Sequence, residues 1–440
     1  MFFLYSLLLT IAFIVLLPRF LYDALRRGKY ADGFRERFGH IPEFKLSSRP
    51  VLWVHCVSVG ETQAARPLIT KILEEFPNYR LVISTTTKTG QNLARKIFAD
   101  SAELIFYFPF DWQFSVCRVL RKIKPNIVLI METELWFNFL REANKNAVRV
   151  FIVNGRLSEK SFKRYSRIRK MMRLVLHYVD LALMQDIEGA NRLAQLGIRS
   201  SKIKITGNIK FDQDAAEAES RLTEEFRRRF GVSKDAPLIV AASTHAPEEA
   251  LIIEAFKEVW KNSAAGKLPR LLIAPRHPER FMEAAVLAKN SGFDWVLRSE
   301  EESGRDKAAE VILLDSIGEL RSVFPLAEIV FVGGSLIPHG GQNVLEPAME
   351  QKAIVTGFYT INFAEIVKEF AAKNAIVQLP QLGEKEIPAR LVEVFSRLLQ
   401  DAEQRKTLGE NAFAIVRKNR GATEKTLELL KPYLRINSNL

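Results

Sequence analysis

Cysteine and histidine are scarce in these 440 residues. Two cysteines, Cys56 and Cys117, allow one disulfide at most, which a chain this long does not need, and a reducing compartment fits. Six histidines and two cysteines show no spacing that suggests a structural zinc site, and no Walker lysine motif is present. No short repeat or low-complexity tract breaks the chain. Acidic charge is the minority, 51 residues against 64 Lys and Arg, for a net charge of +13. That balance favours an anionic partner: nucleic acid, an anionic membrane or a phosphorylated substrate. The length exceeds what one core comfortably serves and predicts two domains.

Charge is also missing from the start. "MFFLYSLLLTIAFIVLLP" carries none before Arg19. At about 1.5 Å per residue, such a helix barely crosses a hydrocarbon core of roughly 30 Å. No basic segment precedes it and no small-residue cleavage site follows, which argues against a cleaved signal peptide. Arg19, Arg26, Arg27 and Lys29 follow it and place the body of the protein in the cytoplasm by the positive-inside rule. The expectation is an uncleaved anchor over 1–20, spanning or partly inserted. A helix packed on the protein itself is the alternative.

Short apolar runs then alternate with helical patterns. "VLWVHCV", "RLVISTTT", "AELIFYF", "NIVLIMETE", "RVFIVNG" and "LALMQD" read as strands, most too apolar for a sheet with one wet face. Helical segments between them include 62–76, 90–98 and 113–124, and 188–195 follows the last. "KIKITGNIKFD" leads into a charged linker, 212–230, that ends in a helix. The rhythm restarts with "APLIVAAST", "RLLIAPR", "DWVLRS", "VILLDS", "EIVFVGGS", "KAIVTG" and "NAIVQL", and closes with amphipathic helices over 388–419 and 423–433. This predicts an α/β protein of two doubly wound parallel-sheet domains, with strand ends as the places for ligands.

The polar residues gather at those strand ends. Ser58, Gly60 and Glu61 follow the first strand; a helix dipole beside Glu61 would keep it ionised, as a base requires. Glu132 and Glu134 end the fourth strand, Asn154, Arg156 and Ser158 the fifth, and Lys210 lies near the domain junction. A helix cap or a salt bridge is the plain alternative for each acid. In the second half, Ser243, Thr244 and His245 end one strand, and Arg276 and His277 end another between two prolines. "FVGGSLIPHGGQNVLEPAME" offers a glycine loop whose amides, with those of Gly334, Ser335 and Gly341, suit an anion. Asn343 and Glu346, three residues apart, suit phosphate and ribose. A tight turn is the plain alternative there. Residues 160–173 carry seven basic side chains, suited to an anionic membrane, a phosphorylated acceptor or simply solvent.

"WVHCVSVGE", "METELW", "NGRLS", "GNIKFD", "STH", "PRHPERF" and "GGSLIPHGGQNVLEPA", in this order, resemble the Kdo transferases of Gram-negative lipopolysaccharide synthesis, glycosyltransferase family 30. The resemblance runs to about residue 425. It departs at Gln342 and Val344, at Ala246-Pro247 and at Cys56. It implies a GT-B fold: two Rossmann-like domains facing across a cleft, 21–211 binding the acceptor and 212–440 the CMP-sugar, with the last helices free to pack back on the first domain. It implies inverting transfer of 3-deoxy-D-manno-octulosonic acid (Kdo) from CMP-Kdo to a lipid A precursor at the inner membrane, without metal or cofactor and with no nucleic-acid partner. Glu61 matches the family's proposed base, Glu132 and Glu134 its second carboxylate motif, and Lys210 the lysine of "GNIK". Arg276, Asn343 and Glu346 match its CMP contacts. From the residues alone, a GT-B enzyme acting on another nucleotide sugar (a UDP-hexosamine transferase or epimerase) stays open. So does a membrane-tethered protein that binds nucleotides or nucleic acid without catalysis.

Overall fold

The computed structural model describes residues 2–27, 33–45, 47–212, 219–233, 236–263 and 268–438. Arg19, Arg26 and Arg27, whose side chains are not described, Lys29, and 213–218 of the expected linker lie outside that description. The chain forms two compact units, 1–213 with 419–440, and 214–418.

The first unit is built on β1 (Val51–Cys56), β2 (Arg80–Thr85), β3 (Ala102–Tyr107), β4 (Ile127–Met131), β5 (Arg149–Gly155), β6 (Leu181–Met184) and β7 (Ile203–Ile205). They pair in the order β3-β2-β1-β4-β5-β6-β7, all parallel. Period-two alternation sends Val51, Trp53, Val128 and Ile130 into one core, and Leu52, Val54, Ile127 and Leu129 into the other. Both faces are covered by helices, which is why these strands read as unbroken apolar runs. The order of connection reverses between β1 and β4, so the ends of those two strands flank the topological switch point, where open α/β sheets bind ligands. β7, read from the sequence as the lead into the second half, pairs with β6 instead.

Helix Ala422–Ser438 belongs to this unit. Leu427, Leu430 and Leu434 enter its core, the Tyr79 hydroxyl donates to the Leu434 carbonyl, and the Asp212 carboxylate accepts from Gly421 N and Thr423 N. The long helix expected over 388–419 breaks into Ile387–Gln400 and Ala402–Asn419. Asp401 between them is extended, and its carboxylate caps the second helix by accepting from Gln404 N.

The N-terminal helix, Phe2–Arg27, has its amphipathicity reversed. Over its first four turns the described polar side chains face the protein: the Tyr5 hydroxyl donates to Asp111 Oδ2 at 2.9 Å, Thr10 Oγ1 accepts from Trp112 Nε1 at 2.9 Å, and Ser6 Oγ accepts from Asn138 Nδ2 at 3.0 Å. Phe3, Leu4, Leu7, Leu8, Ile11, Ile14, Val15 and Leu16 point outward and are exposed. Among the described residues, no helix is long and apolar enough to cross a membrane.

The second unit repeats the plan with β8 (Leu238–Thr244), β9 (Arg270–Pro275), β10 (Trp295–Leu297), β11 (Val311–Leu313), β12 (Ala327–Val332), β13 (Ala353–Thr356) and β14 (Val377–Gln378). The order β10-β11-β9-β8-β12-β13-β14 puts its switch point between β8 and β12. Arg229 fastens helix Glu219–Phe230 to this unit from inside: its guanidinium meets Asp306 at 2.7 Å and the carbonyls of Arg298 and Glu300, and both side chains of the ion pair are about 95% buried. Removing one partner of a buried pair strands the other charge. Asp306→Ala should therefore destabilise the second unit by about 3–5 kcal/mol in urea denaturation, with the Arg229→Met/Asp306→Ala pair less costly than the single change.

Candidate functional site

The end of β1 turns directly into helix Val59–Glu75, one turn earlier than the sequence suggested. Ser58 is its N-cap and Glu61 its third residue, and the two side chains are tied to each other and to the turn before the helix. Ser58 Oγ accepts from Glu61 N at 3.4 Å and donates to Glu61 Oε1 at 3.1 Å, while Glu61 Oε2 accepts from Val57 N at 2.7 Å. Capping was the plain alternative for this acid, and it does cap. The expectation that the helix dipole keeps Glu61 ionised is corrected. Burial, and after it the charge of Glu132, push its pKa up to about 8, against the opposing pull of Val57 N and Ser58. The carboxyl is protonated at neutral pH and becomes a base above it.

Across the switch point, Glu132 ends β4 with φ of 55°, and Asn154 in β5 has the same value. Left-handed backbone at two non-glycine strand ends is strain of the kind that collects at functional sites. Lys210 Nζ lies 3.3 Å from Glu132 Oε1. A Cβ added at Gly60 would sit 3.9 Å from that same ammonium group, so Lys210 reaches over the first turn that carries Glu61. Its loop is held by Asn154 Oδ1, which accepts from Ile209 N at 3.0 Å, and by Asn208 Oδ1, which accepts from Lys210 N. Asn154 is fully buried, and through Ile209 it positions the loop that carries the lysine.

Glu134 is half-buried, its pKa raised by burial and then by Glu132, with Arg164 pulling the other way. Ser158, expected to bind substrate, caps helix Glu159–Ser166 by accepting from Ser161 N, and Arg156 N donates to Thr133 Oγ1. The basic stretch is two helices, Glu159–Ser166 and Arg169–Leu176. Its seven cations are exposed, while Met172, Val175 and Leu176 enter the core. Glu61, Glu132, Lys210 and Gly60 thus share one edge of the first sheet, with Glu134 beside them.

In the second unit the glycine loop does not offer its amides to an anion. The N–H groups of Gly334, Ser335 and Leu336 all donate to the buried Glu248 carboxylate at 2.7–2.9 Å, and Gly341 N donates to the Gly334 carbonyl. Ser335 is fully buried, with its hydroxyl donating to Val332 O and accepting from Gly357 N. Gly334, Ser335 and Gly341 therefore shape the loop rather than bind through their amides. The expected helix dipole is also weak, since helix Leu345–Met349 has five residues. Glu248 was missed because an acid in a helix's first turn reads as a dipole partner.

What this edge does present is side chains. Arg276 and His277 are exposed at the end of β9. The rings of His245 and His277 are 5.3 Å apart and those of His245 and His339 are 4.5 Å apart. Burial and the neighbouring His339 and His277 lower the His245 pKa to about 4, so its neutral ring contacts the Gln342 amide at 3.1 Å. Asn343 Nδ2 and Arg321 Nη2 both donate to Glu346 Oε1, at 3.0 and 3.3 Å.

Residues 32–213 match the family model for 3-deoxy-D-manno-octulosonic-acid transferase (kdotransferase). A 3-deoxy-D-manno-octulosonic acid transferase of Haemophilus influenzae is 33% identical over 94% of each chain. One from Chlamydia trachomatis is 32% identical over 97% of this chain and 96% of its own.

The chain belongs to the Kdo transferase family.

It is a glycosyltransferase, and the carboxylates and lysine at the first switch point lie on the motifs by which it resembles that family. A UDP-GlcNAc 2-epimerase from Neisseria meningitidis shares the fold, with a TM-score of 0.54 at 15% identity over 87% of this chain and all of its own.

Two outcomes follow from the buried carboxyls. Folding raises the Glu61 pKa from 4.5 to about 8, so between those values the folded protein holds a proton that the unfolded chain has released, and stability falls as the pH rises. Glu61→Gln should flatten the fall in thermal transition temperature between about pH 5 and pH 8. Glu248→Gln places amide hydrogens against backbone donors and should cost about 1–3 kcal/mol in denaturant melts.

Proposed function

We propose that this Kdo transferase moves Kdo from CMP-Kdo to a lipid A precursor during lipopolysaccharide synthesis, with inversion and without a metal. The observation that carries the reading is the Glu61, Glu132 and Lys210 arrangement at a switch point in a chain of this family. The acceptor hydroxyl gives its proton to ionised Glu61 as its oxygen bonds the anomeric carbon. The bond from that carbon to the phosphate oxygen breaks on the opposite face, and CMP leaves with the electron pair. A carboxyl with a raised pKa is a stronger base once ionised than an ordinary glutamate. Lys210 pairs with Glu132 and holds it in place beside Glu61. In the second unit, Arg276 is the cation that meets the CMP phosphate, with His277 next to it. Asn343 and Arg321 orient the Glu346 carboxylate toward the polar groups of the nucleotide.

The acceptor carries acyl chains, so the enzyme must work at a bilayer. We read helix Phe2–Arg27 as lying in the cytoplasmic face of the inner membrane, its exposed apolar side in the acyl layer. The ties from Tyr5, Ser6 and Thr10 to the protein favour this seating over a single span. The cations of 160–173 then face the phosphates of the acceptor.

The full chain incubated with CMP-Kdo and lipid A precursor should yield products one or more Kdo units heavier by mass spectrometry, with CMP inhibiting and UMP not. Absence of transfer, or inhibition by UMP alone, rejects the assignment. Glu61→Gln should lower turnover by about 10²–10⁴-fold, and wild-type rates should climb with pH up to about 8 and then level.

A further inference from the structure

A second cationic concavity lies on the first unit, apart from the residues above. Arg35, His40, Arg118, Arg121 and Lys122 line a cavity of about 600 Å³. No carboxylate lines it, and among the described residues none of its arginines or its lysine pairs with one. Arg118, Arg121 and Lys122 are held by backbone carbonyls. Arg118 Nη1 meets Phe38 O at 3.3 Å and His40 Nε2 at 3.1 Å, Arg121 Nε donates to Cys117 O, and Lys122 Nζ donates to Ile41 O. The cations are therefore arranged without being neutralised.

The rim decides what they are for. The Arg118 guanidinium lies 5.5 Å from the ring centre of Phe114, which is about half exposed. Phe114 stacks on Trp112 and Phe38, and both of those meet Phe13 of the N-terminal helix. The rim of the cavity is thus tied through rings to the helix that carries the outward apolar stripe. Aromatic rings beside arginines, next to an apolar face, suit the boundary between acyl chains and phosphate headgroups.

We propose that this cavity binds the phosphate of an anionic membrane phospholipid and so fixes how the first unit sits on the bilayer. The inference rests on the membrane reading of the N-terminal helix and adds a discrete headgroup site to it. A comparison pocket is built into the same unit. Lys170, Arg173, His177, Arg199 and Lys202 line about 360 Å³ with no phenylalanine, tyrosine or tryptophan among the lining. A general attraction of positive charge to the membrane would use both pockets alike.

The test measures binding of the full chain to vesicles of phosphatidylcholine alone and of equimolar phosphatidylcholine and phosphatidylglycerol. Arg118→Gln/Arg121→Gln should weaken binding to the anionic vesicles by about 25-fold, at about 5-fold per cation, with the thermal transition unchanged. Arg118→Lys/Arg121→Lys should retain most of the binding. Lys170→Gln/Arg173→Gln should change it less than about 3-fold. Equal losses from both glutamine pairs would overturn the headgroup site, and so would inorganic phosphate that protects Arg118 from modification as well as anionic vesicles do. Wild-type protein that binds neither vesicle would instead defeat the membrane reading beneath it.

Discussion

A carboxyl group locked into a helix cap, with another carboxylate across the switch point, is the constraint around which the first unit is arranged. Ser58 and Val57 fix the Glu61 side chain, and burial removes the water that would otherwise hold it ionised. Glu132 adds negative charge at the edge, and Lys210 pairs with it. For that lysine to arrive, the chain past β7 must turn back over β5, and buried Asn154 in its left-handed backbone holds the turn. The end of the chain reinforces the same place, since Asp212, two residues after Lys210, caps the returning helix Ala422–Ser438. A carboxyl with its pKa near neutral suits acid–base chemistry, and here it sits in the first turn of a helix.

The two units solve the burial of a carboxylate differently. Glu61 has one backbone donor and one hydroxyl, and it sits near other negative charges. Glu248 gathers four backbone N–H groups, from His245, Gly334, Ser335 and Leu336. Four donors let Glu248 organise a loop against the upward push of burial on its pKa, whereas Glu61 has only two donors to oppose that push. The same residue type thus meets a different environment in each unit.

The strands were legible as short unbroken apolar runs separated by helical patterns, and the parallel arrangement followed from the helices between them. Glu61, Glu132 and Lys210 were legible as polar residues at strand ends and through their resemblance to a family. What the sequence hid was direction. Glu61 N3 geometry makes it a cap and buries it, so its pKa moves up when the dipole alone suggested down. The glycine loop looked like an anion cradle because nothing local reveals that Glu248, 86 residues before Gly334, takes its amides. The N-terminal run looked like an anchor by composition. Only contacts with Asp111, Trp112 and Asn138 show that its few polar residues are bound to the protein and its apolar ones are turned out.

The central claim is that the Glu61 carboxyl is neutral at rest and ionises near pH 8. Titrating the glutamate side-chain carboxyl carbons by NMR, with the Glu61 resonance identified by its loss in a Glu61→Gln variant, measures this directly. The account predicts a midpoint near pH 8, against 4.5 for an ordinary glutamate. A Glu61 resonance that titrates with the ordinary glutamates near 4.5 would contradict it.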